Sequence, residues 1–192
     1  NHYGFFTQVS NLILQSTNGI FCFFGKGTVK KVINSYTQAF AHRLSGRANA
    51  WAAIRGGQEY PRLLGTVKFF QTQAGVLVLA EIHNLPYEQG PCENSVFGFH
   101  IHEGRSCDGM TQEEFSAAEG HFNPDGCPHP AHAGDLPPLF ANHGYAWSAF
   151  LTSRFTIRQV LGRTLIIHGS PDDFTTQPAG NSGKRIACGE IR

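Results

Sequence analysis

This chain has little charge. Asp, Glu, Lys and Arg make up 15% of its 192 residues, and the formal net charge is +1. No run of Lys or Arg occurs. A polyanion-binding surface is therefore not encoded, and nucleic acid is not an expected partner. Long apolar runs are missing too. The segment NLILQSTNGIFCFFG (11–25) is broken by Gln, Ser, Thr, Asn and Gly, well short of the ~20 residues that a membrane span needs. No membrane partner is expected from it. Residues 1–45 also lack a basic n-region followed by a clean apolar core and a small-residue cleavage site. They read as an N-terminal extension of unknown role, holding Cys22, His2 and His42 without assigned function. The compartment stays open between cytoplasm and cell envelope or secretion. Repeats and low-complexity tracts are lacking as well.

What is present begins to show from residue 46. Short β-like runs rich in Val, Ile, Leu and aromatics recur, with Gly and Pro between them: RANAWAAI (47–54), LLGTVKFFQ (63–71), GVLVLAEIHNL (75–85), NSVFGFHIH (94–102), YAWSAFLTS (145–153), GRTLIIH (162–168) and RIACGEI (185–191). This pattern predicts an antiparallel β-sandwich or barrel of about eight strands, in one domain over 46–192. A short helix is expected at 110–118. A composition of 41% hydrophobic residues suffices for one core of ordinary size. The stretch 103–143 has almost no strand signal. A connection that long inside a compact domain is a functional element or a misreading, and a metal can hold such a loop where packing cannot.

Ten histidines sharpen this. His100 and His102 lie two apart on a strand, so both rings face one way while Phe99 and Ile101 face the other. His-x-His alone is a weak signal. The loop adds His121, His129, His132 and Asp135, and His168 ends a separate apolar strand. Imidazole and carboxylate suit zinc or copper. Six histidines and an aspartate are too many for one four-coordinate ion, but two ions sharing one imidazole would use all seven. His83 and His143 read as surface or hydrogen-bonded histidines, and Glu103 as a loop acceptor.

The motifs GFHIHEGRSC, GHFNP, HAGDL, GRTLIIH and GNSGKRIACGEI, in this order, resemble the copper/zinc superoxide dismutases over roughly residues 46–191. That resemblance implies a Greek-key β-sandwich, or flattened barrel, with long metal-binding loops. It implies an enzyme that converts superoxide to oxygen and hydrogen peroxide by copper redox cycling, beside a structural zinc. By the same resemblance the copper ligands are His100, His102, His121 and His168. The zinc ligands are His121, His129, His132 and Asp135, with His121 shared and taking part in proton delivery. Arg185 matches the arginine that guides superoxide. Asp172 matches the aspartate linking ligands of the two metals, with Asp173 as a substitute. Cys107 and Cys188 match the intrasubunit disulfide pair. One departure stands out: only Pro130 and Ala131 separate His129 from His132. This leaves room for a copper-only enzyme, or for a metal-binding relative without turnover. Cys92 and Cys127 are extra, as a second disulfide, a ligand or plain thiols. The alternating aromatics of YAWSAF suit a core or an interface, so a homodimer stays open.

Overall fold

The computed structural model describes residues 46–192 except 91–94 and 110–112. The extension expected at 1–45 and the position of Cys92 lie outside the described residues. Three strands open the fold as a meander: β1 (Ala50–Gly56), β2 (Leu64–Thr72) and β3 (Gly75–His83). Their pairing is antiparallel, with Ala52 opposite Val67 and Val67 opposite Ala80. Strand β1 shows the expected period of two: Ala50, Ala52 and Ile54 are buried, Trp51, Ala53 and Arg55 exposed.

The run 94–102, expected as a single strand, is two. β4 (Val96–Phe97) pairs with β6 (Leu139–Phe140), whereas β5 (Phe99–His102) pairs with β8 (Thr164–His168). The change comes at Gly98, whose N–H donates to the Ser170 carbonyl at 2.9 Å rather than to a ladder partner. Two strands complete the set: β7 (Ala146–Thr152) and β9 (Arg185–Glu190). The main sheet runs β5-β8-β9-β1-β2-β3-β7, and its pairings are antiparallel. β7 lies beside β3 at one edge while β5 and β8 lie at the other. The chain therefore crosses between edges after β3, back between β5 and β7, and again after β7, as a Greek key does.

Helix is scarce. The expected helix at 110–118 is, within the described residues, a 3-10 turn at Ser116–Ala118. One short helix, α1 (Ile157–Val160), was not expected; Thr156 and Gln159 close a capping box at its start. Among the described residues no helix is long and apolar enough to cross a membrane.

The curl of the sheet buries Val67, Phe69, Val78, Ala80, Ile82, Phe99, Ile101, Leu165 and Ile167 completely. Burying a side chain of the Val, Leu, Ile or Phe type contributes about 1.5–3 kcal/mol. This core fixes which way β5 and β8 turn. With Phe99, Ile101, Leu165 and Ile167 facing inward, His100, His102 and His168 must face the other side of the same strands. A smaller apolar cluster of Ala118, Ile166 and Cys188, joined by Cys107 and Phe115, lies there. The Cys107–Cys188 disulfide, with Cα atoms 5.7 Å apart, ties the long loop to β9.

Candidate metal centre

Strand β5 is paired on one side only by β8. Its other side is lined by two pieces of the loop: Phe122 donates to the Ile101 carbonyl at 2.8 Å, and Ile101 donates to the Gly134 carbonyl at 2.9 Å. These contacts bring His121 opposite His102, and Asp135 opposite His100. Gly134 is needed for that approach, because a Cβ there would lie 2.2 Å from the Ile101 carbonyl oxygen. The loop thus delivers its histidine and aspartate to the strand by backbone bonding.

Two groups of ligand-type side chains result. In His100, His102, His121 and His168, one ligand atom from each lies within 4.8 Å of the others; the same holds for His121, His129, His132 and Asp135. All seven residues are buried. The two-residue gap between His129 and His132 does not stop either from reaching its group, and His129 is only 4% exposed.

The outer nitrogens of the first group have protein partners. His100 Nε2–H donates to Asp172 Oδ2 at 2.7 Å, and His102 Nδ1–H to the Glu119 carbonyl at 2.8 Å. His168 Nδ1–H donates to the Gly183 carbonyl at 3.2 Å. With those tautomers, the second nitrogen of each ring offers a lone pair. His102 Nε2 and His168 Nε2 face each other at 3.4 Å. His100 Nδ1 and His121 Nε2 are buried with no hydrogen-bond partner.

In the second group, Asp135 Oδ1 lies 2.7 Å from His121 Nδ1, and Asp135 Oδ2 lies 3.0 Å from His129 Nδ1 and 3.3 Å from His132 Nδ1. The His129 distance is short, yet its geometry is not that of an N–H···O bond, and His129 Nδ1 is also without a hydrogen-bond partner. Orphaned buried nitrogens are costly. Three buried ring nitrogens without a hydrogen-bond partner, His100 Nδ1, His121 Nε2 and His129 Nδ1, are what a cation accounts for. The imidazole set fits copper, and three imidazoles with one carboxylate fit zinc.

Asp172 joins the groups. Its Oδ2 accepts from His100 Nε2, while its Oδ1 accepts from His129 Nε2 at 2.9 Å and from the Phe174 N–H at 2.7 Å. Asp173 does not substitute for it: its carboxylate caps the exposed turn at Thr175 and Thr176. Gly180 lets the chain pass, since a Cβ there would meet Asp172 Oδ1 at 2.1 Å, and its φ is +68°.

Burial shapes the protonation of these rings. It drives the His100 pKa down to about 2, with the charges of His121 and His168 adding to the effect. It takes His168 down to about 4 and His102 well below its usual value. The rings are therefore held neutral, the form that ligates metal. For Asp135, burial pushes the pKa up, but the His121 hydrogen bond and the charges of His121, His132 and His129 outweigh it and hold the net value below the ordinary one.

A cavity of about 530 Å³ opens onto His102, His121 and His168, and Arg185 and Lys184 line it. Arg185 is anchored by Nη1 on the Phe115 carbonyl at 2.7 Å and by Nη2 on the Glu119 carbonyl at 2.6 Å. Both Phe115 and Glu119 have positive φ, at 60° and 61°. Non-glycine residues in that region are strained by about 1–3 kcal/mol each. Here the strain turns two carbonyls toward one guanidinium. Lys184, exposed at the rim, pairs with Glu59 at 3.3 Å. The rim also carries Glu113 and Glu114.

Several contributors were not singled out in the sequence: Gly134, Gly180, Gln177, Arg154, and the carbonyls of Phe115 and Glu119. Sequence signals for them are weak, because backbone carbonyls and single exposed polar side chains carry no motif. Of the extra cysteines, Cys127 has a free thiol. His83 packs against Tyr145 with its ring tilted and His143 stacks on Tyr87, away from the two groups. Glu103 is a structural acceptor, taking Arg163 and the Asn123 N–H at 3.2 Å.

An all-β antiparallel fold that buries two imidazole-rich groups of four possible ligands, with His121 common to both, is of the β-sandwich class and has the donors for two metal ions. Comparison with known proteins narrows the class. The copper/zinc superoxide dismutase (SODC) family model matches residues 63–191. Cu-Zn superoxide dismutase 1 of Aquifex aeolicus is 38% identical over 144 residues, which cover 67% of this chain and 80% of that protein. The Cu-Zn superoxide dismutase of Deinococcus radiodurans is 36% identical over 147 residues, covering 67% of this chain and 76% of that protein. The chain belongs to the copper/zinc superoxide dismutase family.

Proposed function

We propose that this chain is a superoxide dismutase in which copper is held by His100, His102, His121 and His168, and zinc by His121, His129, His132 and Asp135. One observation carries the assignment: His121 belongs to both four-ligand groups, with its Nδ1 beside Asp135 and its Nε2 without a protein partner. The net reaction takes two superoxide anions and two protons to one O2 and one H2O2. When bound, copper supplies the one-electron couple that links the two half-reactions, and zinc supplies a redox-inert charge that orders the loop.

The protein's own groups do the rest. The fixed guanidinium of Arg185 sits in the wall of the cavity that leads to the copper group, where it attracts and orients a small anion. Burial lowers the Arg185 pKa, with Glu113 opposing the shift, but a guanidinium remains charged across the working range. The Glu119 carbonyl binds both Arg185 and His102, so the guiding cation and a ligand share one anchor. His121 lines the same cavity, and its partnerless Nε2 is the atom that would hold a proton for the peroxide product. Asp172 sets the tautomers of His100 and His129 together. The reach of His129 favours the two-metal enzyme over a copper-only one, and the presence of both Arg185 and the full copper set favours turnover over simple metal storage.

The test is elemental analysis with a superoxide assay on protein loaded with copper and zinc. One copper and one zinc per chain with rapid superoxide removal are expected. Full copper occupancy with background activity would refute the enzyme.

A further inference from the structure

Two exposed side chains outside the zinc-group loop hold its backbone. From the segment after β7, Arg154 places Nη1 within 3.0 Å of the Pro130 carbonyl and 3.3 Å of the carbonyls of both His132 and Asp135. From the segment between β8 and β9, Gln177 accepts the His129 N–H at 3.0 Å and donates Nε2–H to the His129 carbonyl at 2.7 Å. The backbone of all three ligands used only by the second group is thereby gripped from outside the loop.

We infer that Arg154 and Gln177 are positioning residues that pre-organise the short His129–Asp135 loop for zinc; this deepens the reading of that loop as the zinc half-site. The physical need is plain. The loop's own N–H groups meet only some of its carbonyls, and those of the buried His129, His132 and Asp135 need donors. Its internal bonds run from Ala131 N–H to Pro128, from Asp135 N–H to His132 and from His132 N–H to the Asp135 side chain. The carbonyls of His129, Pro130 and Asp135 are met by Gln177 and Arg154, and Arg154 also takes that of His132. A ligand loop held from outside keeps its nitrogens aimed before the ion arrives, so less ordering is lost on binding. Neither residue touches a ligand's metal-facing atom, so each acts through the backbone.

Both side chains are exposed, so their removal leaves the core untouched. The experiment compares Arg154→Ala, Arg154→Lys, Gln177→Ala and Gln177→Glu with the parent and with Arg158→Ala, a change at another exposed arginine. The readouts are the zinc release rate to a chromophoric chelator and the Tm of zinc-loaded and metal-free protein. Arg154→Ala and Gln177→Ala are expected to release zinc about tenfold faster or more, with metal-free Tm near the parent and a smaller rise in Tm on adding zinc. Arg154→Lys keeps a cationic donor and restores part of the retention. Gln177→Glu sets a carboxylate against the His129 carbonyl and does no better than Ala. Arg158→Ala behaves as the parent. If the parent holds zinc tightly and the Ala variants release it no faster, the positioning role is wrong while the zinc half-site stands. If their metal-free Tm falls as far as the zinc-loaded Tm, the role is general support and the inference fails. A parent that binds no zinc removes both readings.

Discussion

Replacing Asp172 by Asn separates the two metal groups, because the pocket dictates how the new amide must sit. Asp172 Oδ1 accepts two N–H groups, from Phe174 at 2.7 Å and His129 at 2.9 Å. The Phe174 donor is backbone and cannot reverse its role. An amide at this site must therefore put its oxygen where Oδ1 is and its NH2 where Oδ2 is. The NH2 then faces His100 Nε2, which now has to accept rather than donate. An imidazole that accepts at Nε2 carries its proton at Nδ1, and that nitrogen, buried and without a protein partner, is the one that the proposed copper site would use. To ligate, His100 must give up its outer hydrogen bond. A hydrogen bond to a charged group is worth about 1.5–3 kcal/mol, and losing the outer partner of a ligating histidine costs roughly 10- to 100-fold in affinity. The two ranges agree. Asp172→Asn is therefore expected to weaken copper by about 10- to 100-fold while zinc stays close to the parent. Asp172→Ala removes the acceptor for both rings and weakens both. Competition against chelators of graded affinity measures each metal, and the copper visible band reports its geometry. Equal loss of zinc and copper in Asp172→Asn, or loss of neither, would refute the tautomer reasoning.

Three further outcomes follow from other contacts. Replacing Cys107 and Cys188 together opens a cross-link spanning 81 residues; in the chain-entropy treatment this costs about 4.5 kcal/mol, or roughly 10–15 °C in Tm for a domain of this size, and a calorimetric shift of only a degree or two would show that the bond is not constraining the unfolded chain. Arg185→Ala should slow superoxide removal roughly tenfold or more and flatten its dependence on ionic strength, and an unchanged pulse-radiolysis rate would take Arg185 out of the guiding role. Tyr145, pushed up to about 12 by burial and by Glu81, should ionise well above the ordinary tyrosine value in an ultraviolet titration. Because the folded pKa is raised above the ordinary 10.0, its contribution to stability is full below pH 10.0 and is lost as the pH rises toward 12. Glu81→Gln should bring the transition down, and no movement would exclude Glu81 as a cause.

Much of the fold could be read in the sequence because the strands alternate over a buried face. Ala50, Ala52 and Ile54 are buried against exposed Trp51, Ala53 and Arg55, a period of two in burial. The run 94–102 was misread as one strand for a physical reason. Gly98 carries no side chain to interrupt the apolar pattern, yet its N–H leaves the ladder for Ser170. The β6 strand of two residues and the four-residue α1 are too short for periodicity to register. The histidines stood out because imidazoles on a strand and in a Gly- and Pro-rich loop have no packing explanation. Their supports did not. Gln177 lies 48 residues from His129, and Arg154 binds only carbonyls, so neither leaves a local pattern.

A cluster of buried lone pairs has to survive folding before any metal arrives. Burying six imidazoles and two carboxylates together gives nitrogens with no donor to meet, as His100 Nδ1, His121 Nε2 and His129 Nδ1 show. Such groups oppose folding until a cation arrives. The opposition has to be met by contacts that do not need the metal. The apolar face of β5 and β8 is one. The disulfide to β9 is another. A domain built this way keeps its ligands aimed in the metal-free state at a cost in stability. Zinc binding then returns that cost mainly as a higher Tm, with little change in secondary structure. Circular dichroism of metal-free and zinc-loaded protein should therefore nearly superimpose while their Tm values differ widely. A large gain in β signal on adding zinc would mean that the loop and its strands order only with the metal.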